Sequence, residues 1–259
     1  IRLWKPSSKI KRKSNLLKFE KFISERFNKN FNENFKKIHN WSVKNQGDFW
    51  SSVWDFSKIK GIKSNTKEKK SKKFFKNVFL PNSRLNFCEN LLSKNTTEKA
   101  ITFISENGYR EIRNWNELNK NVKNISNNFK KLNIKSKDRI AAYMPNTPET
   151  VEAFLGTVAI GAIWSSCSPD FGINGVIERF SQINPKILIV TNQYFYNGKK
   201  INILERIPEI IKKIPSIKHL IISSLSPVNK VLLNFFIGII LLRKMFQNLN
   251  FLNLILNMI

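Results

Sequence analysis

The sequence predicts an α/β protein, with an amino-terminal helical segment followed by a partial parallel sheet of βαβ units. Three observations lead there. Short apolar runs at residues 139–144 (RIAAYM), 162–167 (AIWSSC), 186–191 (KILIVT) and 217–223 (IKHLIIS) have the length and character of buried strands. The stretches between them carry helical spacing, and strand alternating with helix requires a parallel sheet joined by right-handed crossovers. Upstream of all four, Leu16, Leu17, Phe19, Phe22, Ile23 and Phe27 fall at mixed three- and four-residue intervals that suit a helix.

Taken in order, residues 48–56 (DFWSSVWDF) read as a second helical stretch. Phe49, Trp50, Val53, Trp54 and Phe56 give it more aromatic area than one exposed helix carries, so it must dock on something. The lysine-rich residues 58–76 read as an exposed loop or linker, and a folded domain starts near Phe79. Residues 87–92 (FCENLL) form a short helix. Two strand-like runs, 100–105 and 109–113, flank Glu106-Asn107-Gly108, and Asn-Gly between such runs signals a hairpin. Asn114 then caps a helix whose Leu118, Val122, Ile125, Phe129 and Leu132 make one buried stripe. After the strand 139–144, Thr147 caps a helix with Pro148 in its first turn. Residues 173–183 are helical, and so is ILERIPEIIKKI, interrupted by Pro208. The expected division is therefore 1–78, an amino-terminal helical segment with its linker; 79–226, the partial sheet domain; and 227–259, an atypical apolar tail.

Composition narrows the function classes. The 259 residues suffice to bury about 70 to 75% of the unfolded surface, and 41% hydrophobic with 24% charged content is that of a globular protein. Charge balance is the outlier, with 45 Lys+Arg against 18 Asp+Glu and a net charge of +27. Such a surplus attracts polyanions when it is clustered. Its densest part is 58–76, but Lys, Asn, Ile and Phe are raised together, as an AT-rich coding sequence would raise them; no specific nucleic-acid partner is expected. Cys88, Cys167, His39 and His219 match no metal-ligand or disulfide spacing, so these residues are read as structural, no metal site is assigned, and a reducing, cytoplasmic setting is expected. Residues 1–13 (IRLWKPSSKIKRK) lack the apolar core of a secretory signal.

In an open parallel sheet ligands gather beyond the carboxyl ends of the strands. Pro145-Asn146-Thr147, Ser168-Pro169-Asp170 and Thr191-Asn192-Gln193 lie at that rim. The small residues of 161–172 (GAIWSSCSPDFG) either leave room there for another molecule or merely shape a tight strand-to-helix turn.

Particular residues carry a resemblance. LWKPS, FWSSVWDF, FCENLL, residues 142–188 and YNGKK together resemble the amino-terminal part of the acetoacetate-CoA ligase family, within the adenylate-forming acyl-CoA synthetase superfamily. WSSCSPDFG is the distinctive element. The resemblance covers roughly residues 3–224 and implies ATP, Mg²⁺ and coenzyme A as reactants: a carboxylate is converted to an acyl-adenylate and then passed to the CoA thiol. It also implies two coenzyme A contacts, with Asp170, Phe171 and Gly172 beside the adenine end and Tyr196, Asn197, Gly198 and Lys199 beside a phosphate. Asn-Gly-Lys is equally an ordinary turn, and Phe171 an ordinary core plug. No catalytic residue is implied within these positions. The family's Ser/Thr/Gly-rich phosphate loop, its later motifs and its carboxy-terminal lysine find no match in VNKVLLNFFIGIILLRKMFQNLNFLNLILNMI (228–259). The expectation is an interrupted gene, a chain inactive alone whose partner is the missing carboxy-terminal part. Interfacial contact of the tail with a membrane is the other reading, since its 12-residue apolar run 231–242 is too short to span. A free-standing basic module for nucleic acid or anionic membrane, and a ligase for another short acid, are the competing functions.

Overall fold

Apolar residues in RIAAY cannot face water on either side, and the structure covers both. The computed structural model describes residues 3–223, so the expectation for 227–259 lies outside the described residues. The chain divides into two compact units between Asn86 and Phe87.

The first unit contains α1 (Ser8–Lys13), α2 (Asn15–Phe27), α3 (Phe35–Lys44) and α4 (Gln46–Phe56). Ser14 caps α2 by accepting from the Leu17 N–H, and Asn34 caps α3 by accepting from Lys36 and Lys37. Phe19, Ile23, Phe31, Ile38 and Trp41 form the core, and Phe49, Val53 and Phe56 of α4 pack on it. The aromatic excess of α4 is thereby accounted for. Asp55 joins the pieces by accepting from Arg26 and Lys63, each at 2.6 Å. Burial alone would raise its carboxyl, but those two cations hold it below its usual range.

Beyond α4 come β1 (Gly61–Ile62), β2 (Glu68–Lys69), β3 (Val78–Phe79) and β4 (Arg84–Leu85). β1 pairs with β4 and β2 with β3, both antiparallel. The lysine-rich stretch, read as an exposed loop or linker, is mostly exposed and carries two short ladders, and its unit continues through Asn86.

The second unit opens with α5 (Phe87–Leu91) and the hairpin of β5 (Lys99–Ile104) and β6 (Arg110–Asn114). α6 (Trp115–Lys131) follows, with Asn114 and Glu117 closing a reciprocal capping box. Then come β7 (Arg139–Tyr143), α7 (Pro148–Ala159), β8 (Ile163–Cys167), α8 (Ile173–Ser181), β9 (Ile187–Thr191), β10 (Gln193–Tyr196) and β11 (Lys199–Asn202). A 3-10 turn at Leu204–Arg206, α9 (Ile207–Lys213) and β12 (His219–Ser223) complete it. Among the described residues no helix is long and apolar enough to cross a membrane.

The main sheet has the order β12-β9-β7-β8, and every pairing is parallel. Its period-2 alternation separates two cores. Ala141, Tyr143, Leu188, Val190 and Leu220 meet α8 and α9 on one face. Ile140, Ala142, Met144, Ile187, Ile189 and Ile221 meet α6 and α7 on the other, and each fully buried Ile or Phe there contributes about 1.5–3 kcal/mol.

Two local expectations are revised. Thr147 occupies the N-cap of α7, but its hydroxyl lies 3.2 Å from that of Thr150 and takes no backbone N–H. Pro208 does not interrupt a helix; it sits in the first turn of α9, where its missing N–H costs nothing.

α6 and α7 approach closely at Gly156, where a Cβ would lie 2.6 Å from Cγ2 of Ile125. Gly156→Ala gains about 1 kcal/mol of helix propensity but overpacks a β-branched, buried neighbour. A net loss of about 1–3 kcal/mol is expected, read from urea unfolding. His219 gives a pH test. Its Nδ1 is buried with no hydrogen-bond partner among the described residues, and burial, aided by Lys218, holds the imidazole below its ordinary pKa. The unfolded chain therefore binds the proton more tightly, and stability falls as pH drops below about 6.5. His219→Gln should flatten that slope in unfolding curves recorded across the window.

Candidate functional site

The strand order reverses at β7, because the chain passes to β8 on one side and then crosses to β9 on the other. A crevice opens beyond the carboxyl ends at such a point. The loop 168–172 leaves β8 at this rim. Ser168 donates to Asp170 at 2.8 Å, and Gly172 occupies the N-cap of α8.

Tyr143, at the end of β7, holds the loop from below. Its hydroxyl lies 2.5 Å from the Phe171 carbonyl oxygen and 3.0 Å from that of Pro169. Arg206 Nη1, from the 3-10 turn before α9, donates to the Tyr143 oxygen at 2.7 Å and to the Pro169 carbonyl at 3.1 Å. Burial pushes the Tyr143 phenol up, with Arg206 opposing. One phenol and one guanidinium thus satisfy two loop carbonyls turned inward.

β10 and β11 form a hairpin that sequence reading left as turn residues. Asn197 (φ 50) and Gly198 (φ 71) are both left-handed, as a two-residue turn between twisted strands requires. Burial, together with the nearby Asp170 carboxylate, raises the Tyr194 phenol. Tyr196 lies two residues further along the strand, about 7 Å away and on the same face. Lys199 is paired directly opposite Tyr196 and shares that face, whereas Lys200 pairs with Phe195 on the reverse.

Of the predicted segments, Asp170 lies near enough to Tyr194 of β10 for its charge to act on that phenol. Tyr196 and Lys199, at the far end of the hairpin, are exposed, Tyr196 at 55%. Phe171 is 37% exposed with the Arg179 guanidinium 4.3 Å from its ring centre, so it is not a core plug. A Cβ at Gly172 or Gly198 would meet nothing within 4 Å, which leaves open space beside both segments. Cys167 is buried and free, with its thiol pushed up by burial, the opposite of an activated nucleophile.

Tyr143, Tyr194 and Arg206 were missed. The only trace of Tyr143 was a phenol closing an otherwise apolar strand, and nothing near Arg206 announces a partner 63 residues away.

A second polar cluster lies elsewhere in this unit, beside a cavity of about 540 Å³ lined in part by Arg113, Asn121, Glu149 and Glu152. Arg113 binds Glu149 and Glu152, each at 2.9 Å, and also Glu111. Asn121 donates to Glu152, which is 2% exposed; burial raises its carboxyl, while Asn121 and Arg113 oppose the shift. This cluster fastens β6, α6 and α7 together. Among the described residues no group of His, Cys, Asp and Glu is arranged to hold a metal ion.

An open, parallel α/β sheet with polar loops gathered at its switch point has the architecture in which ligands bind beyond the carboxyl ends of the strands. The chain belongs to the AMP-binding enzyme family, whose pattern it matches over residues 93–235. It is 38% identical over 212 residues to the acetoacetyl-coenzyme A synthetase of Rhizobium meliloti (strain 1021), a match covering 82% of this chain and 32% of that protein. To the acetoacetyl-CoA synthetase of Macaca fascicularis it is 36% identical over 194 residues, covering 73% and 29%. The solved acetoacetyl-CoA synthetase from Streptomyces lividans superposes with a TM-score of 0.80 at 26% identity, over 85% of this chain and 34% of that one. The chain thus spans about a third of the length of the relatives it matches.

Tyr143→Phe removes the hydroxyl from this junction. A loss of about 1–2 kcal/mol is expected, since two inward carbonyls and a guanidinium lose a shared partner. Amide exchange should quicken selectively over residues 168–172, as read by mass spectrometry.

Proposed function

We propose that this chain supplies the coenzyme A-facing rim of an acetoacetyl-CoA synthetase. The reaction joins acetoacetate to ATP with Mg²⁺ as counter-ion, releases pyrophosphate, and then transfers the acyl group from AMP to the CoA thiol. A carboxylate is a poor acyl donor until its oxygen belongs to a good leaving group, and the adenylate provides one. This chain's part is to bind and orient the thiol carrier; none of its residues is assigned a step in the adenylation chemistry. Two free, buried thiols, Cys88 and Cys167, support a reducing, cytoplasmic setting.

The observation that carries the reading is the exposed face that Tyr196 and Lys199 share across the hairpin beside Gly198, with Phe171 of the loop 168–172 exposed as well. Lys199 offers a mobile point charge to a phosphate, and Gly198 keeps the turn beside it narrow. Phe171 and Tyr196 offer exposed ring surface to an adenine. Asp170 accepts from the Ser168 hydroxyl at 2.8 Å, which stiffens the loop.

Calorimetric titration of the 259-residue chain with coenzyme A and with dephospho-coenzyme A tests this. Lys199→Gln should weaken coenzyme A by about fivefold, the effect of one exposed charge-assisted contact. The same change should leave dephospho-coenzyme A unaffected. Lys200→Gln, on the opposite face, should change neither. Equal losses from both lysines would show general electrostatic attraction and remove the assignment.

A further inference from the structure

We propose that the loop closed by β2 and β3, residues 69–76, is a docking surface for an anionic lipid membrane. Its backbone is built. The ladder pairs Glu68 with Phe79 and Lys69 with Val78, and the Leu80 N–H donates to the Lys67 carbonyl at 2.9 Å. Across the loop, Ser71 N–H donates to Asn77 Oδ1 at 2.8 Å, and Lys76 N–H to the Lys73 carbonyl at 2.9 Å. Phe79 anchors the base against Trp50, with ring centres 6.0 Å apart.

What the loop presents is charge with one apolar tip. Lys69, Lys70, Lys72, Lys73 and Lys76 are all exposed. Lys69, Lys72, Lys73 and Lys76 form no ion pair among the described residues, while Lys70 has a long contact of 3.9 Å to Glu68. Neighbouring lysines behave differently: Lys63 and Lys67 are each tied to an aspartate at 2.6 Å. Uncompensated charge therefore collects on the loop. Phe75 lies in the middle of it at 77% exposure, in the 3-10 turn Phe74–Lys76.

Five amines around an unsatisfied phenyl ring suit a bilayer surface better than a nucleic acid. Ammonium groups act as point charges toward anionic headgroups, each contributing an independent increment, and their stems lie along the interface. The ring gives the second, apolar anchor that a weak polybasic site needs for stable attachment. A nucleic-acid surface would call for planar, bidentate donors. The loop holds no arginine, and its one amide at the base, Asn77, is occupied by Ser71.

Co-sedimentation of the intact chain with phosphatidylcholine vesicles, with and without phosphatidylserine, tests the proposal, with folding of every variant checked by circular dichroism. Binding is expected to require phosphatidylserine. Lys69→Gln, Lys72→Gln and Lys73→Gln together should weaken it by about 100-fold, from about fivefold per lysine. An equal substitution of exposed lysines outside the loop, Lys123→Gln, Lys130→Gln and Lys212→Gln, should cost less than about threefold, because these residues are no part of the surface proposed to meet the bilayer. Phe75→Ser should cost about tenfold, and this part should persist at high salt. Three results overturn the proposal: equal losses from the two lysine triples, equal capture by neutral vesicles, or single-stranded DNA bound more tightly than vesicles through these same residues.

Discussion

β7 is the element on which the second unit depends. It has a parallel neighbour on each edge and a helix layer on each face, and Ile140 to Tyr143 are completely buried. A strand so placed must have all its backbone groups paired and no polar side chain left unsatisfied. Ala141 and Ala142 leave room for helices on both sides, and Ile140 supplies bulk to the α6–α7 face. The one polar atom that the strand's buried side chains carry is the Tyr143 hydroxyl, and its obligation to find partners fixes the neighbouring loop.

From that obligation the geometry of the rim follows. The phenol and Arg206 take the inward carbonyls of Pro169 and Phe171; Pro169 itself is buried, while Ser168, Asp170 and Phe171 are exposed. On the neighbouring hairpin, burial and the Asp170 carboxylate of this loop both raise the Tyr194 phenol. The Arg113 cluster plays the corresponding part where β6 meets α6 and α7. Its charges are nearly removed from water, so each depends on the others: without Arg113, the buried Glu152 would have only an amide partner.

Legibility tracked the locality of the signal. The four parallel strands and their helices could be read because each segment's own periodicity reports its burial, and Asn114 announced the helix start directly ahead of its apolar stripe. α3 escaped because its buried side chains, Ile38 and Trp41, are too few to set a period. β1 to β4 escaped because two-residue strands in lysine-rich sequence carry no alternation, and β10–β11 because its Asn-Gly was read as an isolated turn. At the rim, Asp170 to Gly172 and Tyr196 to Lys199 were reached only through resemblance to a family. The loop's support depends on a Tyr143–Arg206 contact that no local pattern records.

The placement of β9 beside β7 also governs how the chain assembles. Ile140 finds Ile187 only after β8 and α8 have been laid down on the far side, so no hairpin can template this pairing. Closing so long a loop costs entropy before any contact repays it, which makes sheets of this kind slow to form. α6, α7 and the β5–β6 hairpin, all joined by near neighbours in sequence, are the pieces able to gather early. Until β9 arrives, one side of β7 is an open, apolar edge, and during that interval the nascent protein is most exposed to self-association and most in need of a chaperone.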